Sequence, residues 1–206
     1  MRLRRRPELH EAIKDYQDIV FLHEKVGDNL HGKKNVRLEI GTGKGSFLTG
    51  LALVGQDSFY VGIESQIEVI YYAARKIREA QLSNVRLLHG NAGNLENWFD
   101  QGQVDTVYIN FCDPWPKARH VKRRLIARNF LEKYRKIIRP GGELKLKTDN
   151  KSLFAFALEE FAACGLMIHE QSVDLHKSTI HNPVWTEYEL KFHKLGMPVC
   201  YARVSF

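Results

Sequence analysis

The stretch VRLEIGTGKGS, residues 36–46, decides the fold. VRLEI reads as a short strand, the glycines after it as a tight turn, and residues 45–54 as the start of a helix. Glycine at 41, 43 and 45 lets the backbone come close to whatever it faces. Two familiar phosphate loops are excluded. A P-loop needs Ser or Thr straight after its lysine, but Gly45 follows Lys44, and Leu38 fills the required upstream glycine position. A dinucleotide fingerprint needs Gly or Ala at position 46 and meets Ser46. What remains, E-x-G-x-G-x-G from Glu39 to Gly45, is either a loop admitting a ligand without a pyrophosphate or a plain strand-to-helix turn.

Outward from this turn, apolar runs at 58–63 (SFYVGI), 84–90 (NVRLLHG), 105–111 (DTVYINF) and 141–148 (GGELKLKT) read as strands. Helical stretches at 66–81, 120–138 and 151–164 alternate with them. The 120–138 helix gathers Val121, Leu125, Phe130, Tyr134, Ile137 and Ile138 on one face, leaving Lys122, Arg123, Arg128 and Arg135 largely on the other. Residues 8–26 read as an amphipathic leading helix. After residue 165 the helical pattern fades, and LMIHEQSVDL (166–175) and VWTEYELKFH (184–193) read as an antiparallel strand pair closing one sheet edge. The expected architecture is α/β: a seven-stranded, mostly parallel sheet with helices on both faces and an antiparallel edge pair. One globular domain is expected, with a basic segment and leading helix over 1–30 and the main body over 31–206. Ligands of such sheets bind outside the carboxyl ends of the strands, which directs attention to 41–46, 64, 91, 112–117 and 149.

The 206 residues, 44% hydrophobic, suffice for one domain with a substantial core. The net charge of +7 favours a polyanionic partner, nucleic acid or membrane surface. Its distribution says more. Arg2, Arg4, Arg5 and Arg6 crowd the start, and ten Lys or Arg residues fall within 117–139 against the single acid Glu132. Cys112, Cys164 and Cys200 form no C-x-x-C pair and suggest neither disulfide frame nor zinc site, so a reducing compartment and no metal are expected. No apolar h-region follows the basic start, and no run approaches 18 apolar residues. A cytoplasmic protein without a membrane role is expected.

Glu64 ends the second strand, 19 residues past Gly45. A carboxylate there can accept both hydroxyls of a ribose. Asn91, after the third strand, can pair its amide with an adenine edge or cap a helix. Glycine loop, Glu64 and Asn91 together suggest an adenosyl ligand, and the loop resembles motif I of the Rossmann-like class I S-adenosylmethionine-dependent methyltransferases.

NFCDPWPKARH, residues 110–120, then stops an apolar run at Asp-Pro-Trp-Pro and enters the basic block. Asp113 ends the fourth strand, next to the first in this topology. Pro114 and Pro116 fix φ at two of the next three residues, and Asp113 and Trp115, each preceding a proline, are restricted in turn. Trp115 offers a face on which an extruded base can stack, or it is a core tryptophan in a rigid turn. A stiff loop running into a phosphate-binding face suits an enzyme that modifies a base inside a nucleic acid.

The string NFCDPWPKARHVKRRL (110–125), with LKTDN (146–150) and TEYE (186–189), resembles the signature of the bacterial tRNA (guanine-N7)-methyltransferase family, and the likeness runs from the glycine loop to the closing strand. Departures are small. Cys112 stands where serine is common, and Ala118 where a second lysine often follows Lys117. The resemblance implies S-adenosylmethionine as cofactor and methylation of N7 of a guanine in the tRNA variable loop. It implies Glu39, Gly41, Gly43, Gly45, Glu64, Asn91 and Asp113 around the cofactor, with Asp113 also catalytic. Lys117, Asp149, Thr186, Glu187, Tyr188 and Glu189 are implied at the guanine, and Arg119, His120, Lys122, Arg123 and Arg124 on the RNA. A monomer or homodimer is expected.

The chemistry agrees with these residues. Guanine N7 carries an in-plane lone pair and no hydrogen, so attack on a sulfonium methyl needs no base, and alignment supplies most of the catalysis. Guanine offers N1–H and N2–H2 donors that a carboxylate accepts together. On a strand, Glu187 and Glu189 would share one face and Thr186 and Tyr188 the other. Two rivals stay open: a methyltransferase for another base, since Asp-Pro-Trp-Pro is loosely similar to the Asp-Pro-Pro-Tyr loops of amino-group methylases, and a non-catalytic RNA-binding module.

Overall fold

A computed structural model describes residues 6–22 and 30–206. The chain begins with α1 (Pro7–Ala12), a 3-10 turn (Ile13–Tyr16) and a short strand, β1 (Val20–Phe21). The expected leading helix is therefore broken after one and a half turns. Ile13, Ile19 and Val20 are pulled into the core instead, and β1 pairs in parallel with a strand far along the chain. The remainder of the expected helix, residues 23–26, and Arg2, Arg4 and Arg5 lie outside the described residues.

Next come β2 (Val36–Ile40), α2 (Ser46–Val54), β3 (Phe59–Glu64), α3 (Ile67–Glu79), β4 (Val85–His89), the short α4 (Leu95–Trp98), β5 (Val104–Asn110), α5 (Arg128–Ile137), β6 (Ile138–Thr148) and α6 (Lys151–Ala163). The chain closes with β7 (Met167–Ser172), α7 (Glu187–Lys194) and β8 (Cys200–Ser205). The sheet has eight strands in the order β1-β4-β3-β2-β5-β6-β8-β7. Strands β1 to β6 pair in parallel, whereas β8 runs antiparallel between β6 and β7. One more strand is present than expected, because β1 extends the far edge.

The antiparallel edge exists, but its second strand is CYARVS rather than VWTEYELKFH. The alternation in the latter reads as a strand only if Thr186 is ignored. Its side chain accepts the Glu189 N–H while the Glu189 carboxylate accepts the Thr186 N–H, a reciprocal cap that starts a helix. That signal was present in T-E-Y-E.

The stretch 120–138 also divides, into a 3-10 segment (Ala118–Arg123) and α5. Buried Ile126 and Ala127 anchor the link between them. The first free N–H of α5, at Arg128, is taken by the Glu160 carboxylate at 2.6 Å.

Two apolar layers sandwich the sheet. One packs α4, α5 and α6 on its first face, through Phe130, Tyr134, Phe154 and Phe161; the other packs α2, α3 and the N-terminal turn on its second, through Phe47, Leu48, Ile70 and Ile77. No helix of the described residues is long and apolar enough to cross a membrane.

Candidate active site

The parallel strands β2, β3, β4 and β5 end side by side. Because β2 is the central strand from which the order runs both ways, the chain diverges there and leaves a crevice. A cavity of about 640 Å3 occupies it. Its wall includes Gly41, Glu64, Asn91 and Asp113, with Trp115, Lys122 and Arg123 at the mouth. A smaller cavity of about 150 Å3 adjoins it through Gly41, Asn110 and Phe111, and is lined by Glu39, Gly43, Lys44, Thr186, Glu187 and Tyr188.

Gly41, Gly43 and Gly45 all lie at positive φ, between 56° and 77°, which is why the loop is glycine-rich. They differ in what they face. A Cβ on Gly41 or Gly43 would meet open space, so these two leave room for a ligand, whereas one on Gly45 would fall 2.9 Å from the Ala73 Cβ. Gly45 therefore seats α2 against α3, and borders neither cavity.

Glu64 ends β3 with one oxygen accepting the Gly43 N–H at 3.1 Å and the other accepting the Ser65 and Gln66 N–H groups at 2.8 and 3.0 Å. Those bonds fix the carboxylate at the cavity wall. Asn91 does one of the two things foreseen for it, the cap. Its side-chain oxygen accepts the Gly93 N–H at 2.8 Å and caps a 3-10 turn, while the residue still lines the cavity.

Glu39 is buried, only 2% exposed, and accepts from the Thr42 hydroxyl at 2.8 Å and the Asn110 amide at 2.9 Å. Burial pushes its carboxyl up to about 7, against the pull of those two bonds and of Lys147.

Asp113 is exposed and lines the larger cavity. The aromatic residues on either side of it, Phe111 and Trp115, have left-handed backbone, with φ of 51° and 40°. For bulky residues this costs on the order of 1–3 kcal/mol each and must be enforced by surroundings. Trp115 thus departs from the extended backbone its following proline favours. Arg124 enforces it by donating to the Pro114 and Trp115 carbonyls at 3.0 and 3.2 Å, with its guanidinium 4.4 Å from the Phe156 ring. Arg123 lies over the Trp115 ring at 5.0 Å, and His120 meets its edge at 5.4 Å. Phe111 donates its N–H to the Lys147 carbonyl at 2.9 Å and stacks on Tyr188 and Phe192 of α7. Burial, then the charge of Asp113, pushes the Cys112 thiol up to about 12.

Of the basic residues singled out from sequence, Lys122 and Arg123 are exposed and line the larger cavity, Lys117 and Arg119 are exposed and line neither, His120 is half-buried against Trp115, and Arg124 is turned inward onto the loop it holds. Asp149 is exposed at the end of β6 and lines neither cavity.

The T-E-Y-E residues divide in a way no strand allows. Thr186 and Glu189 form the helix cap, with Glu189 fully buried, while Thr186, Glu187 and Tyr188 line the smaller cavity. Glu189 is therefore a supporting group rather than one that can touch a base. Glu187 accepts from the Ser46 hydroxyl, which accepts in turn from Lys76, and Lys76 lies 3.4 Å from Glu187. Sequence reading missed Ser46, Lys76, Phe111 and Lys147. For Ser46 and Lys76 no local signal exists, since the partners are 141 and 111 residues away from Glu187.

Comparison with known proteins gives the family and the fold. A family model described as "Putative methyltransferase" matches residues 33–202. A tRNA (guanine-N(7)-)-methyltransferase of Bacillus subtilis (strain 168) is 39% identical over all of this chain and 99% of its own length. One from Streptococcus equi subsp. zooepidemicus (strain H70) is 38% identical over the whole of both chains. Among solved structures, a 16S rRNA methyltransferase superposes with a TM-score of 0.66 at 14% identity over 87% of this chain and 91% of its own. An antibiotic-related methyltransferase does so at 0.64 and 20% over the same shares. These two share the fold. From its sequence relatives, the chain belongs to the tRNA (guanine-N(7)-)-methyltransferase family.

Proposed function

We propose that this chain transfers a methyl group from S-adenosylmethionine to N7 of a guanine in the variable loop of tRNA. The observation that carries the reading is the meeting of Gly41, Glu64, Asn91 and Asp113 in one cavity whose mouth is Trp115, Lys122 and Arg123. The cofactor, when bound, supplies an electrophilic methyl on a positively charged sulfur.

The residues fit such a group. Glu64 keeps a lone pair for a ribose hydroxyl on the oxygen that accepts from Gly43, Asn91 keeps its amide N–H2 for the adenine edge, and the open faces of Gly41 and Gly43 leave room for the chain between. Glu39 sits at the amino-acid end, where its ionised form attracts an ammonium. Asp113 orients the reactants and stabilises positive charge as it develops on the guanine ring. No base is required, since N7 holds no proton, and the sulfonium methyl needs no Lewis acid.

Guanine enters between the two cavities. Trp115 offers a stacking face and Thr186, Glu187 and Tyr188 border the base from α7; Lys117 and Asp149, which line neither cavity, act from outside them. Arg119, His120, Lys122, Arg123 and Arg124 form the RNA side, with Arg124 acting through the loop and the exposed cations acting on phosphate. The protein acts on tRNA in the cytoplasm, as a monomer or homodimer. Mass spectrometry of tRNA digests after incubation with protein and S-adenosylmethionine tests this. N7-methylguanosine at the variable loop is expected; N6-methyladenosine, or no methylation, refutes it.

A further inference from the structure

Lys147 lies on β6 with its side chain pointing under the site, only 5% exposed. Its ammonium donates to Glu189 at 2.8 Å, Asn182 at 2.7 Å and the Val184 carbonyl at 3.3 Å, and lies 5.2 Å from the Phe47 ring. Three donors are thus used on one helix and the strap that leads into it. Across the sheet Asn110, the register partner of Lys147 on β5, donates its amide to Glu39 at 2.9 Å, and that same carboxylate feels the charge of Lys147. Its backbone carbonyl accepts the Phe111 N–H, the bond that holds the strained residue before Asp113. One residue therefore bonds the α7 cap and the strained loop, and stands one strand from the amide that bonds the cofactor-side carboxylate.

We infer that Lys147 is a positioning residue that ties the guanine-side helix α7 to the cofactor-side carboxylate Glu39, so that one buried ammonium sets the geometry of both halves of the site. This rests on the reading of Glu39 as a partner of the cofactor's ammonium.

The charged neighbours make the inference testable by pH. Facing Glu39 are Lys147 from β6 and Glu64 from β3; facing Lys147 are Glu189, Glu39 and, along its own strand, Lys145. Glu189 also meets His176 at 3.8 Å. Glu39, pushed up to about 7 by burial and drawn down by Lys147, is half-ionised near neutrality. Removing the Lys147 charge leaves burial less opposed and raises the pH at which Glu39 ionises.

The experiment is calorimetric binding of S-adenosylmethionine from pH 6 to 9, with steady-state KM for tRNA, on wild type, Lys147→Met, Lys147→Arg and Glu39→Gln. Wild type is expected to lose affinity on acidification, and Glu39→Gln to bind weakly at every pH, which separates this limb from titration of His176. Lys147→Met is expected to move the midpoint up by about one unit, roughly tenfold weaker binding at pH 7, to converge on wild type by pH 9, and to raise KM for tRNA. Lys147→Arg restores the midpoint but not the tRNA KM, because a planar guanidinium cannot reproduce the three bonds of the ammonium. A folded Lys147→Met with the wild-type midpoint overturns the proposal. Should that variant fail to fold, Glu189→Gln replaces it: removal of the opposing carboxylate is expected to move the midpoint down, and no movement overturns the proposal. A wild type without the acid limb, and a Glu39→Gln that binds as tightly, overturn the cofactor role of Glu39 and this inference with it. A normal limb that Lys147→Met leaves in place overturns the inference alone.

Discussion

Asp113 stands between Phe111 and Trp115, two aromatic residues in left-handed backbone that the rest of the site must hold there. Such local strain is kept where it aims a functional group. Asp113→Ala is expected to lower kcat at least a hundredfold while tRNA affinity changes little, measured by single-turnover methylation and filter binding. The two adjacent arginines should separate. Arg123→Ala weakens tRNA binding and flattens its dependence on salt. Arg124→Ala, whose guanidinium bonds two loop carbonyls, lowers kcat and the melting temperature with the salt slope kept. Glu39 makes a stability prediction of definite sign. Its folded value of about 7 lies above the ordinary 4.5, so its contribution to stability is complete below about 4.5 and is lost as pH rises through 7. Glu39→Gln, with no charge to bury, is expected to melt with wild type near pH 4.5 and progressively above it toward pH 8, read by thermal denaturation without ligand.

The element that departs most from its sequence reading is α7. A period of two in WTEYELKF suggests a strand, yet a capping box at Thr186 and Glu189 and the Lys147–Glu189 pair turn it into a helix that carries Glu187 and Tyr188 to the rim. Thr186→Ala removes one side of the cap and is expected to cost about 1 kcal/mol, with a raised KM for tRNA. Glu189→Ala leaves the Lys147 ammonium buried beside too few partners and is expected to cost more, about 3–5 kcal/mol, by chemical denaturation. The 118–127 segment behaves in the same way. Its exposed cations sit on a short 3-10 segment, free of the regular spacing of a helix, because Arg124 and Ile126 are pulled inward.

Across the whole molecule, charge is arranged by sign: carboxylates line the crevice and cations surround its mouth. This suits a reaction that makes a base cationic within a polyanion. Measured over 50–200 mM salt, the logarithm of tRNA affinity is expected to fall linearly with that of salt concentration, and Lys122→Ala with Arg123→Ala to reduce the slope by about 0.7–0.9 for each phosphate no longer neutralised. The parallel order around β2 and the strand-end position of Glu64, Asn91 and Asp113 were readable because each depends on neighbours within one βα unit, where apolar period and turn glycines report the backbone directly.

The sequence by itself determined the glycine loop, the alternating strands and helices, the Asp-Pro-Trp-Pro turn with its basic flank, and the family. All are local patterns, specified by residues a few positions apart. Only the tertiary structure decided that Glu189 is a buried support and Glu187 a rim residue, that Arg124 faces inward, and that Lys147 holds α7 through Glu189. Those roles depend on which distant groups share a low-dielectric interior, where an unpartnered charge is too costly to persist, and spacing along the chain carries no record of that.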